Sequence, residues 1–332
     1  MSNSTLELDD TVRLTRARAS RYILRTVLPY LARRVAALGV VLFAVSVLVF
    51  AILRLIPGDP AALLAGVDAQ PEEVERLRTV LGLDQPAYVQ YVRYLRRVIT
   101  GDLGRSLRSQ QPVATDLATR FRASLFLASV SLTVALLIGL PAGVTAAVWR
   151  GSTWDTAITT ASVLGASMPT FWFGLILIGF FSVRLGWLPT SGYEGSEYVV
   201  LPAVTLAAFS LATIARTARS CMLDVLGDDY VRTARAKGLG EAIVIGKHAL
   251  KNAVIPLVAV VGLQFGYLLG ASAVTETVFT WPGVGLLLVD AIKHRDLPVI
   301  QGAVLLVAAS FALVNLLVDV LYASLDPRIR LS

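Results

Sequence analysis

The sequence predicts an all-α integral membrane protein with six spans. Three observations carry that prediction. Of 332 residues, 55% are hydrophobic and 16% are charged, with a mean hydropathy of +0.68. A soluble domain of this length needs more charge to coat itself, and a disordered chain needs far fewer apolar residues. Six stretches contain no Asp, Glu, Lys or Arg, and each is close to or above the roughly 20 apolar residues that a bilayer crossing takes. The bases, finally, gather in alternate connecting segments, as they do in the cytoplasmic loops of membrane proteins. The net charge of +7 therefore points to a membrane and not to nucleic acid. One cysteine, Cys221, excludes a disulfide framework, and two histidines, His248 and His294, are too few for a histidine metal site.

Taken in order, residues 1–34 form a polar, basic tail. Arg21–Leu28 alternates bases with apolar residues, which suits either a helix lying in the headgroup zone or a plain basic flank. Val35–Leu53 is the first span, retained because no small-residue cleavage site follows it. Arg54 and the turn Pro57-Gly58-Asp59-Pro60 stop it. Residues 54–122 are long but not low in complexity. Pro71–Gly82 has Pro in its first turn, acids early, bases later and a glycine stop, which predicts a helix. Tyr88, Tyr91, Val92 and Leu95 fall on one face of a second helix, and Gly101–Gly104 then turns the chain.

The remaining spans are Ala123–Trp149, Thr156–Val183, Tyr198–Ala215, Asn252–Thr275 and Leu297–Val318. The two longest are expected to tilt or to begin among the headgroups. Ser167-Met168-Pro169-Thr170 interrupts the third, either unwinding it beside a pathway or kinking it. Gln264 sits mid-span in the fifth, suited to lining a polar pathway or to an interhelical hydrogen bond. Glu276 follows that span as a candidate gate, and the turn at Trp281-Pro282-Gly283 is expected to hold Trp281 at the membrane interface. Asn315 and Asp319, one turn apart, read as a structural cap or an interfacial pair.

Orientation follows from the bases. Residues 1–34 and 216–251 carry seven Lys and Arg each, whereas 184–197 carry one and 276–296 carry two. Both termini are therefore expected in the cytoplasm, including the tail 324–332, with 54–122 outside. Residues 123–323 make up a five-span core that includes the cytoplasmic loop 216–251.

That loop carries the functional argument. Asp229–Lys237 has good helix formers, and Gly238 and Gly240 turn the chain before it resumes near Ile243. A helix, a glycine turn and a second helix make a compact basic knob. Ala234, Ala236 and Gly238 would allow close approach by a partner. As bare physics, an ordinary positive-inside loop fits equally well.

The run Arg232-Thr233-Ala234-Arg235-Ala236-Lys237-Gly238, with His248-Ala249-Leu250-Lys251-Asn252 and Pro256 beyond it, resembles the permease subunits of bacterial dipeptide/oligopeptide ABC importers. Matching motifs extend from about Leu31 to Arg330. They include Leu55–Pro60, Leu81–Pro86, Gly101–Ser106, Glu276–Gly283, Asn315–Asp319 and Leu325–Arg330. The resemblance implies a type I importer permease fold. It also implies that Tyr230, Arg232, Thr233, Ala234, Arg235, Ala236, Lys237, Gly238, Leu239, His248 and Leu250 form the loop that couples to an ATPase. The wider superfamily has Glu-Ala-Ala where this chain has Arg232-Thr233-Ala234, and Ile-x-Leu-Pro where it has His248–Lys251; peptide-type permeases share the altered form.

The same resemblance implies the partners: a second permease in a heterodimer, two ATPase subunits holding ATP and Mg, and an extracytoplasmic solute-binding protein. The last would dock on the outer segment, with Asp102, Arg105 and Arg108 as candidate contacts. Met168, Pro169, Gln264 and Glu276 are the candidate pathway or gate residues. A bacterial inner-membrane location, a di- or oligopeptide cargo, and no cofactor or catalytic residue in this chain complete the expectation. Nickel chelates, glutathione or another small solute are alternative cargoes. No phosphate-binding loop of the Gly-x-x-x-x-Gly-Lys-Ser/Thr type is present, so ATP hydrolysis is expected elsewhere. No acid or base sits centrally in a span, which weighs against a proton- or sodium-coupled carrier, and no catalytic constellation supports an intramembrane enzyme.

Overall fold

The computed structural model describes residues 28–55, 60–65 and 69–325, and apart from one isolated bridge between Arg105 and Pro112 the regular elements described are helical. The tail before Leu28, the turn at Pro57-Gly58-Asp59 and the motif at 326–330 lie outside the described residues. Among the described residues, five helices are long and apolar enough to cross a membrane unbroken: α1 (Leu28–Leu55), α5 (Val113–Val148), α8 (Val200–Leu226), α10 (Glu241–Val278) and α12 (Leu297–Leu325). The short helices outside them are α2 (Pro60–Ala65), α3 (Pro71–Leu81), α4 (Ala87–Ile99), α9 (Asp229–Ala236) and α11 (Val284–Lys293).

The third stretch is interrupted at Ser167-Met168-Pro169-Thr170, as expected. It divides into α6 (Thr153–Ser167) and α7 (Thr170–Arg184), which meet at 105°. Met168 is extended, at φ −77° and ψ 132°, and Pro169 caps the next helix. Proline has no N–H to continue the ladder, and it drives the residue before it out of the α region. The local chemistry thus favours a break over a kink. From Ile178 onward α7 winds as a π-helix.

α8 is the hub, with α5, α6, α7 and α10 packed around it, while α12 packs on α10 and α1. The α5–α8 contact is made by small residues. Ala135, Ala147, Ala207, Ala215 and Ala218 are at most 3% exposed. A Cβ on Gly139 would lie 2.9 Å from the Leu211 carbonyl, and one on Gly143 would run into the backbone of Ala215. Lipid tails are as apolar as the helices, so close backbone approach supplies what hydrophobic burial supplies in water. At one end of α1, Arg34 Nε meets Asp319 Oδ2 of α12 at 3.1 Å, so Asp319 is an interhelical pair. At the other end, Val49 and Leu53 join Val113, Leu117, Val284, Val299 and Ala303 in a buried cluster.

The segment between α1 and α5 folds much as the pattern suggests. α3 has Pro71 at its start and Glu72 and Glu73 in its first turn, and it ends at Gly82, whose φ of +67° returns two N–H groups to the Arg78 and Thr79 carbonyls. α4 lies along the second half of α1. Tyr91 and Tyr94 pack on Phe50, and burial beside Tyr91 pushes the Tyr94 phenol up to about 12. The loop after α4 is pinned from across the fold. The buried Asp296 accepts from Ser106 Oγ (2.5 Å) and from the Leu107 N–H (3.1 Å), joining residues 106–108 to the turn before α12.

Candidate functional site

The basic knob is built as a continuation of two spans. α8 runs on past Ala215 to Leu226, about 16 Å at 1.5 Å per residue, and α9 folds back against it. Val231, Ala234 and Val244 are 0–5% exposed and form a small core with Val225 and Leu226. Gly238 makes the turn at φ +77°, a left-handed conformation that favours glycine. α10 then begins with Glu241–Ile243, winds as a π-helix through Val244–Ala249 and continues without a break as the fourth of the long helices. The Tyr230 hydroxyl accepts from Asn252 Nδ2 at 2.7 Å, and Arg235 pairs with Glu241 at 2.8 Å. Arg232, Thr233, Arg235, Ala236, Lys237, Gly238 and Leu239 remain exposed, whereas Ala234 is turned inward and His248 and Leu250 are half-buried at the root.

A second clamp beside the root went unnoticed in the sequence. Asp155, in the first turn of α6, takes a two-pronged contact from Arg219 of α8, Nε to Oδ1 at 2.6 Å and Nη2 to Oδ2 at 2.8 Å, and also accepts the Gly151 N–H at 2.9 Å. A forked guanidinium–carboxylate pair fixes orientation as well as distance. Substituting Asp155 by Asn keeps the size but removes the match. It is expected to lower the midpoint of thermal aggregation in detergent. Arg219→Lys, which keeps the charge and loses the fork, should fall between the variant and the parent.

At the far end of α10, Glu276 is completely buried. Its Oε1 accepts from Ser124 Oγ of α5 at 2.6 Å. Its Oε2 accepts from the N–H groups of Gly285 (2.7 Å) and Leu286 (3.1 Å). Ser124 Oγ in turn accepts the Val284 N–H at 2.9 Å. All three donors at the start of α11 are thereby satisfied, at the end of the helix where its dipole favours acidic oxygens. Gly283 leaves room for the carboxyl group, since a Cβ there would overlap it. Trp281, expected at the membrane interface, is instead 1% exposed. Its indole N–H donates to the Ala123 carbonyl at 3.0 Å, and its ring lies between Tyr193 and Phe126. The reason is the same turn: capping α11 from α10 folds residues 279–283 inward.

The other candidates are placed as follows. Gln264 Oε1 accepts from the buried Ser210 Oγ of α8 at 2.9 Å, an interhelical bond. It stands twelve residues from Glu276, about 18 Å along α10, so the two do not share one pocket. Met168 and Pro169 form the break between α6 and α7. Asp102, Arg105 and Arg108 are exposed on the loop that Asp296 holds. Asp102 accepts the Gly104 N–H, Arg105 donates to the Gln110 carbonyl, and Arg108 pairs with Asp290 of α11 at 2.7 Å.

Long apolar helices, interhelical polar bonds and a compact helical knob continuous with two spans together define a polytopic helical membrane protein with a rigid projection on one face. Comparison with known proteins makes the class specific. The family of binding-protein-dependent transport system inner membrane components matches residues 139–331, and the N-terminal part of such components matches 27–128. The chain belongs to this family. It is 49% identical over 303 residues to the glutathione transport system permease protein GsiC of Escherichia coli O6:H1 (strain CFT073), covering 91% of this chain and 99% of that one, with the same figures for strain K12. The GsiC of Shigella boydii serotype 4 is 48% identical over the same span. Among solved structures, the inward-facing MetNI methionine ABC transporter shares the fold, with a TM-score of 0.54 at 21% identity over 63% of this chain and 96% of that one. The protein is thus a multi-pass inner-membrane permease component of an ABC importer, in a family that is not itself catalytic and that works with ATPase and substrate-binding partners.

Proposed function

We propose that this permease forms half of a pathway for short peptides, glutathione-like tripeptides among them. It would be completed by a second permease, driven by two ATPase subunits that hold ATP and Mg, and fed by a solute-binding protein. The near-full-length identity to permeases named for glutathione carries the cargo reading, and glutathione is itself a short peptide. With both termini cytoplasmic, the knob of Tyr230–Leu239 faces the ATPases. Because its core is continuous with α8 and α10, a push on α9 moves two spans together. Asp102, Arg105 and Arg108, on the loop braced by Asp296, face the solute-binding protein. Met168 and Pro169, at the break between α6 and α7, are the pathway candidates least tied by side-chain bonds, whereas Gln264 and Glu276 act through the helices they join.

Uptake by proteoliposomes containing the assembled transporter tests this reading. ATP-dependent accumulation of labelled glutathione or a dipeptide, competed by the other, is the expected result. Uptake of a nickel chelate with no peptide competition would replace the cargo. Uptake by this chain alone, without ATP, would replace the importer reading with that of a secondary carrier.

A further inference from the structure

The three faces of α4 differ in what they meet. At 3.6 residues per turn, Tyr91, Tyr94 and Val98 share the face toward α1. Tyr91 Oη lies 2.8 Å from Ser46 Oγ, and its ring meets Phe43 and Phe50 edge-on. The next stripe round the helix is Tyr88, Val92, Leu95 and Ile99. Tyr88, Val92 and Ile99 are 72%, 61% and 77% exposed, an apolar row that none of the described residues covers. Arg93, Arg96 and Arg97 occupy the remaining arc and are also exposed.

The level of this row is set by its neighbours. Ser46 lies seven residues inside Leu53, the last residue of the first apolar stretch, about 10 Å along α1. Phe43, Val47, Leu48 and Ile52 of the same stretch are 41–58% exposed, as a lipid-facing span requires. At the other limit, Phe50, Arg93 and Arg97 line one recess with Pro298 and Gln301 at the start of α12. α4 therefore reaches from about 10 Å inside the end of the first apolar stretch to the level at which α12 begins. Tyrosines at that level with arginines on the opposite side suit the boundary between acyl chains and phosphates.

We propose that α4 is an interfacial helix that binds the lipid surface. The Tyr88, Val92 and Ile99 row is seated among the acyl chains of the adjoining leaflet, and Arg96 and Arg97 lie at the level of the lipid phosphates. The helix thereby fixes the depth at which the whole segment between α1 and α5 stands above the membrane, including the loop held by Asp296.

Spin-label accessibility in the full-length chain tests this. In a Cys221→Ser background, labels are placed singly at Val92→Cys, Ile99→Cys, Arg97→Cys and Glu73→Cys. The chain is reconstituted alone and in the assembled transporter, in vesicles of phosphatidylethanolamine and phosphatidylglycerol. The labels at 92 and 99 should show a several-fold higher ratio of oxygen to water-soluble nickel-complex collisions than the label at 73, with the label at 97 intermediate. A water-like ratio at 92 and 99 in both preparations would overturn the proposal. So would protection of 92 and 99 from both reagents in the assembled transporter, because a second permease or the solute-binding protein would then cover the row. All four positions are exposed, so the labels leave the packing of α4 on α1 intact.

Discussion

Replacing Gly238 by Arg is expected to strip the ATPase subunits from the solubilised transporter while the permease itself stays folded. Gly238 sits at the exposed tip of the knob at φ +77°, and a Cβ there meets nothing within 4 Å. The cost to the permease is thus the left-handed backbone strain alone, about 1 kcal/mol. The cost to a docked partner is far larger, because a long cation replaces a hydrogen where two backbones are proposed to approach. Co-purification of the ATPases with a tagged permease should be lost, ATP-dependent uptake should fall to background, and the permease's elution profile should be unchanged. Gly238→Ala carries the same strain with little bulk and should retain much of the ATPase. Full retention of the ATPases by the Arg variant would place the docking surface elsewhere.

Glu276→Ala is expected to be the most damaging single substitution to the fold on the face opposite the knob. It leaves the Ser124 hydroxyl and the Gly285 and Leu286 N–H groups without their acceptor in a site closed to solvent. Each unsatisfied buried donor costs about 1–3 kcal/mol, so the sum is about 4 kcal/mol or more. Glu276→Gln keeps one acceptor oxygen and should lose roughly half as much. Gly283→Ala forces a Cβ into the carboxyl group and should resemble the Ala variant. Limited proteolysis should show the effect as early cleavage between α10 and α12. A Glu276→Ala protein that is as resistant as the parent would mean that α11 holds its place without this cap.

The residues differ in how openly they announced these roles. Pro71, Glu72, Glu73 and Gly82 delimit α3 through local rules, and the structure places its ends where those rules do. The helix–glycine–helix knob was legible for the same reason. Gly139-Leu140-Pro141-Ala142-Gly143 carries a small-residue spacing that signals close helix contact, and both glycines lie against the α8 backbone. Asp155 with Arg219, Ser106 with Asp296 and Ser124 with Glu276 carried no comparable signal. Their partners lie 64, 190 and 152 residues apart, and no local pattern links them.

The sequence by itself determined that the chain crosses the membrane, where most of its crossings fall, and the family to which its motifs belong. Span length, charge asymmetry and helix punctuation act over a few residues or through the bilayer, so they can be read without knowing what touches what. Only the tertiary structure decided that the third stretch bends by 105°, that Trp281 is inside, that Glu276 caps a neighbouring helix, and that α4 leaves an apolar row beside α1. The Pro169 break was foreshadowed, but its angle is fixed by how α7 packs against α8. The others depend on which polar groups find partners once helices meet. In a membrane that pairing is compulsory for backbone groups, yet the choice of partner belongs to the assembled fold.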